Sequence, residues 1–457
     1  MIRRRWLLAT GLLASLVLAR TEQARAEDPA PAAAPASAPA SSPEVPAWRP
    51  PPAGQIGGDD PKPDDSAIPY YNGGFVLVPT LKPKEVPFRL RINHVSQFRY
   101  TNSMAVHHTY VTHLGVEREV LRRNDVQLTR DVFYFSGIAF DPRLDYNILI
   151  YTSSATLSAT AAGFAGFVFN RAFALRAGFF SLPSTRSMTG TYPFFHSTDR
   201  SMANNYMRPG FTQGIWANGE LFPGFNYIAM IGNSLNTLDI PATKIDFNFA
   251  YSASIWYDLR NFGKEWNDYE SHDDLAIRVG TAFTFAREDR LSDLSSASPE
   301  NNATFISDGT LLFETGTLAT GVTVSLANFY LWSIDMGLKY HGLAFNAEVY
   351  QRWLNHFTAD GPLPLDSMYD WGLEASLGYF VLKKRLETYL RTSLVRGPFA
   401  KPIEGALGFN WYPFPTRQVW LNAEAIAIHA SPYQSVLYVY SSGQSGALFQ
   451  VQFLLRF

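Results

Sequence analysis

The chain holds 457 residues, of which 17% are charged and 15% aromatic, with a formal net charge of −2 and no cysteine. Acids and bases nearly cancel and are interspersed, which removes the electrostatic basis for nucleic-acid binding, and the missing cysteines exclude a disulfide-stapled secreted domain. After residue 20 no apolar run reaches the roughly 20 residues that a helical membrane span needs.

Residues 1–26 read as a signal peptide. Arg3-Arg4-Arg5 precede an apolar stretch, Trp6 to Ala19, that is too short to span a bilayer, and Ala24-Arg25-Ala26 supply a small-x-small cleavage site. Residues 27–68 are mostly Pro, Ala and Ser, a composition that cannot bury a core, and read as a disordered periplasmic segment acting as a passive spacer. Residues 69–457 read as an outer-membrane β-barrel: an all-β, transmembrane antiparallel fold with both chain ends in the periplasm.

From Phe88 onward apolar and polar residues alternate with the strand period of two. The last segment shows it plainly, with Phe449, Val451, Phe453, Leu455 and Phe457 on one face and Gln450, Gln452 and Arg456 on the other. The alternation predicts strands near 88–100, 125–138, 143–154, 163–170, 172–180, 212–221, 225–233 and 246–258. It continues with 274–286, 327–340, 343–354, 369–381, 386–396, 403–412, 417–428 and 446–457. That makes about sixteen, or eighteen if 311–328 forms a further hairpin, each of a length that crosses a bilayer at a tilt.

Tight turns at Asp141-Pro142, Asn170-Arg171, Pro223-Gly224, His341-Gly342, Lys383-Lys384 and Pro413-Phe414-Pro415 alternate with long polar loops at 101–124, 181–211, 287–326, 355–368 and 429–445. The turn at 259–273 is longer than its class. A soluble sandwich alternates in the same way, but short turns on one rim and long loops on the other are the habit of an outer-membrane barrel. Trp216, Tyr227, Trp256, Tyr257, Trp332, Tyr340, Trp353, Trp371, Tyr379, Trp411 and Tyr412 lie near strand ends, where some would be interfacial girdle residues; the alternative is core aromatics of a soluble β-protein.

Two stretches carry a resemblance. One runs from Arg122 to Ile150 through Gly137, the Asp141-Pro142 turn and Tyr146. The other runs Leu175-Arg176-Ala177-Gly178-Phe179-Phe180-Ser181-Leu182-Pro183, then Asp199-Arg200-Ser201 with Asn204, then Gly214, Gly219, Tyr227 and Gly232-Asn233. Both resemble the phosphate-selective porin O and P family, over roughly residues 85 to 457. The resemblance implies a sixteen-stranded, homotrimeric channel with a loop folded toward the pore, and Phe457 resembles the terminal aromatic that barrel assembly machinery reads. Where that family often has Arg-Asp-Ile-Gly, this chain has Phe211-Thr212-Gln213-Gly214, so no ion site is carried over there.

At about sixteen strands an interior is too wide for side chains to fill, which predicts a water-filled porin for small hydrophilic solutes or ions. The alternation turns Arg89, Arg91, Arg176, Arg278, Lys339, Arg352 and Arg391 inward, together with Asp335, Glu348, Glu374, Glu387 and Glu424. The two signs nearly offset, so a weak anion preference is expected rather than phosphate specificity. Loop 181–211, with Arg186, His196, Asp199, Arg200 and Arg208, is the candidate constriction; the alternative is a surface loop with solvated arginines. The expected partners are outer-membrane lipids, barrel assembly machinery and the solutes.

No cofactor or metal is expected. His107, His108 and His113 share a short segment but lack a clear carboxylate or Cys partner, and read as solvated loop residues. A hydrolase would need a Ser or Thr nucleophile beside a His base on the barrel's outer surface, and the only hints are His196-Ser197 and His429-Ala430-Ser431. The readings from other classes are a plugged structural or adhesion barrel, a hydrolase, and a transporter of hydrophobic compounds, which the mixed polar lumen disfavours.

Overall fold

The computed structural model describes residues 70–71, 74–79, 87–238, 240, 245, 247–290, 304–414 and 416–457. The expected signal peptide and the 27–68 segment lie outside the described residues.

Two short strands come first, β1 (Tyr70–Tyr71) and β2 (Phe75–Pro79), followed by the long β3 (Phe88–Val106) and a two-stranded loop hairpin, β4 (Thr109–Val111) and β5 (Glu117–Glu119). Then come β6 (Asn124–Ala139), β7 (Asp141–Ser153), β8 (Ser158–Asn170) and β9 (Phe173–Ser181). A single turn of helix, α1 (Met202–Met207), precedes β10 (Phe211–Phe222), β11 (Phe225–Gly232), β12 (Ala250–Leu259) and β13 (Ala276–Asp289). The wall ends with β14 (Val324–Tyr340), β15 (Leu343–Ala359), β16 (Ser367–Leu382), β17 (Leu386–Arg396), β18 (Ile403–Trp411), β19 (Val419–His429) and β20 (Gly446–Arg456).

Each strand from β6 to β20 pairs antiparallel with the next, β3 pairs with β6, and β20 returns to β3, so β3 and β6–β20 form a closed barrel of sixteen strands. Closure leaves no unpaired edge to face lipid. The extra hairpin considered at 311–328 does not form: residues 324–328 begin β14, and 311–323 stay outside the wall. Residues 304–323 form turns with one isolated bridge, Phe305 to Leu311, because their apolar groups pack against the loop cluster over the long-loop rim.

β3 outruns β20, and the N-terminal β2 fills the vacated edge. Phe75 sits opposite Ile92 and Val76 opposite Arg91, while Arg456 of β20 ends opposite Val95. Phe457 exchanges main-chain hydrogen bonds with His94, and its ring lies 5.4 Å from that of Phe75.

Outward side chains of the wall form an apolar band, with Val279, Phe283, Ile334, Leu377, Leu390, Leu407, Phe449 and Phe453 exposed. Tyr257, Tyr340, Tyr379 and Trp411 rim it on the short-turn side, where their polar tips can reach water. Three expected girdle residues belong elsewhere. Trp216, Trp256 and Tyr412 share the parity of inward residues, and Trp216 is 2% exposed against the interior. The turn at 259–273 is long because it folds back into the barrel, burying Phe262, Trp266 and Tyr269.

Candidate functional site

Parity along each strand decides what enters the lumen, and register carries that choice from strand to strand. Arg278 lies opposite Gly337, Asp335 opposite Glu348, Glu348 opposite Glu374 and Arg391 opposite Ser376, all on the inner face. Arg89, Arg91, Arg176, Lys339, Arg352, Glu387 and Glu424 are inward as well.

Several charges on β13–β20 are buried in ion pairs. Arg352 binds Asp370 at 2.6 Å. Arg391 bridges Glu404 at 2.6 Å and also Glu424. Arg278 holds Asp335 at 3.0 Å, and on the facing wall Arg176 holds Asp145 at 2.8 Å. Buried ions must find partners or pay heavily for lost hydration, so these pairs brace the wall.

What buries them is an insertion from each rim. From the long-loop rim, residues 182–210 descend and lie along the wall. Asp199 accepts from Arg99 (3.1 Å) and Arg130 (2.6 Å). The main-chain N–H of Arg186 donates to Glu348 (3.0 Å), and that of Met202 at the start of α1 donates to Glu404 (2.8 Å). Ser201 caps α1 by accepting from the Asn204 N–H, and its hydroxyl also donates to Glu374. Arg200 and Arg186 are 6% and 2% exposed, so both serve the loop's attachment instead of presenting charge to water.

Electrostatics of the loop follow from this burial. Burial pulls the His196 imidazole down to about 3, with Arg186 and Lys339 adding to the effect. Burial lowers Arg186 to about 10, with Arg278 adding and Asp335 opposing. Against the upward push of burial, Arg130 and Arg99 hold the Asp199 carboxyl below the usual range.

From the short-turn rim, residues 260–274 rise to meet that loop. The main-chain N–H of Trp266 donates to the Phe194 carbonyl (3.0 Å), and Arg186 lies over the rings of Phe262 (5.2 Å) and Trp266 (4.9 Å). Lys339 Nζ donates to the Phe262 carbonyl (2.7 Å), Asn267 reaches Glu387 (3.1 Å) and Arg417 binds Glu265 (2.7 Å). Two wall glycines make this approach possible. A Cβ on Gly337 would stand 2.4 Å from the Phe262 ring, and one on Gly378 would stand 2.8 Å from the His196 ring.

Opposite this packed side, the inner faces of β6–β11 stay partly exposed at Tyr134, Asn147, Leu149, Tyr151, Phe164, Asn218, Glu220 and Asn226. Arg89 and Arg91 at the start of β3, and Thr189, Gly190, Tyr192 and Phe194 of the inner loop, also keep exposure. Water therefore reaches parts of the inner face of β6–β11, away from the packed side.

Of the residues noted for other chemistry, His107 and His108 are exposed, whereas His113 has the carboxylate partner that the sequence did not reveal. His113 Nδ1 meets Asp308 (2.7 Å) and stacks on Phe399, and among the described residues no group of three or more His, Cys, Asp or Glu side chains is placed to hold a metal. His196 Nδ1 pairs with Ser376 (2.9 Å), not Ser197, and Ser431 bonds the Tyr433 carbonyl. A Ser, His and Asp do meet on the outer face of β3 and β6, which the sequence reading missed: Ser96 Oγ and Asp131 Oδ1 both approach His94 Nε2, at 3.0 and 2.6 Å, while Nδ1 has no partner among the described residues. A hydrolytic triad puts the hydroxyl and the carboxylate on opposite ring nitrogens, so this cluster is not one.

No family model matches the chain, and no curated protein matches it by sequence. Solved structures do match. The outer-membrane expressed OmpT of Vibrio cholerae aligns over 81% of this chain and 98% of its own, at 10% identity and a TM-score of 0.51. The in-vitro folded form of that protein aligns over 81% and 98%, at 9% identity and a TM-score of 0.50. An anion-selective porin from Comamonas acidovorans aligns over 82% and 100%, at 12% identity and a TM-score of 0.49. At such identities the likeness to OmpT is one of fold: this is the barrel architecture of an outer-membrane protein.

Proposed function

We propose that the chain is an outer-membrane porin of the O and P kind, a channel for passive diffusion of small hydrophilic solutes or ions in a Gram-negative bacterium, and not a catalyst. The observation that carries this reading is the uneven interior: a barrel too wide to fill, packed along one side and left accessible along β6–β11. The short-turn rim and both chain ends face the periplasm in this reading, the 27–68 segment is a spacer there, and Phe457 serves assembly. Three copies form the working unit.

A weak anion preference follows from which charges remain in reach. On β13–β20 Asp335, Asp370, Glu404 and Glu424 are paired with buried arginines, and Arg89 and Arg91 at the start of β3 keep partial exposure. Selectivity in an aqueous pore is set by the charges a permeating ion passes.

Single-channel recording of the mature protein in a planar bilayer under a salt gradient tests the reading. The expected result is steady steps with a reversal potential displaced modestly to the anion side. The packed half favours one competing reading, a plugged structural barrel, and a silent membrane containing correctly folded protein would establish that instead.

A further inference from the structure

The turn 260–274 is held in the lumen under conditions unlike those of a permanent plug. Its entry carries Arg260 (φ 58), Asn261 (φ 53) and Gly263 (φ 78), and its exit Ser271 (φ 59). Left-handed backbone at three non-glycine residues persists only where the surroundings impose it, and both stems of the turn therefore store strain.

The contact at its tip is also incompletely satisfied. Among the described residues, Trp266 Nε1 and Tyr269 OH of the turn, and Arg186 Nε and Nη2 and Arg417 Nε that face it, are buried without a hydrogen-bond partner.

Besides the Phe194 carbonyl, one side chain of the inner loop holds the tip from the other rim. Arg186, carried by the inner loop, covers both Phe262 and Trp266 and is itself fixed by Asn346 at 2.7 Å. Gly337 provides the hollow into which the Phe262 ring fits.

We propose that the turn 260–274 is a strap that swings between the lumen and the short-turn rim, and that Arg186, reaching from the loop of the opposite rim, holds it closed. The swing stands on geometry alone. Its consequence, a wider passage when the strap is out, rests on the channel reading above. A disturbance of the inner loop on one side of the barrel is thereby felt as an opening on the other.

The absence of cysteine gives a clean test. Asn267→Cys, at a position 8% exposed, is introduced into the full mature protein and exposed to a bulky water-soluble maleimide. Labelling is measured alone, with Arg186→Ala, and with Gly337→Leu, which fills the Phe262 seat from the wall. The expected result is slow labelling in the parent and a rate about tenfold higher in both double variants, the scale of a lost desolvated cation–π contact, with a larger second conductance level in each. Gly337→Leu carries the test if Arg186→Ala fails to fold, as judged by heat-modifiable migration. Equal labelling in the parent and a folded double variant overturns the strap. Faster labelling with no conductance in any variant keeps the strap and sinks the channel; steady channels with equal labelling do the reverse.

Discussion

The walls β13–β20 and β6–β11 obey the same alternation and present polar residues to the same interior, yet they meet different surroundings. On the first, Arg278, Arg352, Arg391 and their acids are sealed beneath segments inserted from both rims. On the second, Asn147, Tyr151 and Asn218 still touch solvent. The charge a barrel carries inward is therefore not the charge a solute would encounter, because insertions consume it as anchoring.

The largest test of that contrast removes an anchor. Asp199→Ala strands Arg99 and Arg130 without their shared acid, a loss of about 3–5 kcal/mol. The inner loop is expected to leave the wall, lowering the melting temperature in detergent and raising conductance. Replacing Asn147 by Ala on the accessible wall should change stability by less than about 0.5 kcal/mol in the same assay.

A smaller effect comes from acid. His196 is held neutral, with its folded value pulled to about 3. The unfolded imidazole takes up a proton near its ordinary value of about 6.5, so stability is full above that pH and declines as pH falls toward 3, by up to about 1.4 kcal/mol per unit. His196→Gln should flatten this segment of the pH–stability curve, and denaturant titrations from pH 7 to pH 4 would show whether it does.

Smallest is the effect of a charge added where water already is. Asn147→Glu should move the reversal potential toward cations by about twofold in permeability ratio, since a single charge beside an electrolyte-filled path is heavily screened. Its melting temperature should match the parent. An unchanged reversal potential would mean that ions do not pass beside β7.

Much of this architecture was legible beforehand because strand parity is a strict rule. Arg278 and Glu348 could be turned inward from their neighbours Val279 and Val349 alone, and all sixteen wall strands lie where alternation put them. Trp216, Trp256 and Tyr412 were misplaced because proximity to a strand end was weighed above parity; Trp216 shares its side with Asn218 and Glu220. The inserted turn was beyond reach of that rule. Its signal was compositional: Phe262, Trp266 and Tyr269 are too apolar for a rim turn left in water. The pairing of Asp199 with Arg99 and Arg130 spans 100 and 69 residues, and no local pattern encodes it.

The seam carries one more consequence. Because β20 stops opposite Val95, the main-chain groups of residues 89–92 on the edge away from β6 depend on β2 for their partners. Cutting the chain before residue 80 would leave a ready template for another strand at the rim, and natural sheets avoid such open edges because they recruit neighbouring chains. The amino terminus thus works as a selvedge, a finished margin that keeps a closed tube from fraying into its neighbours.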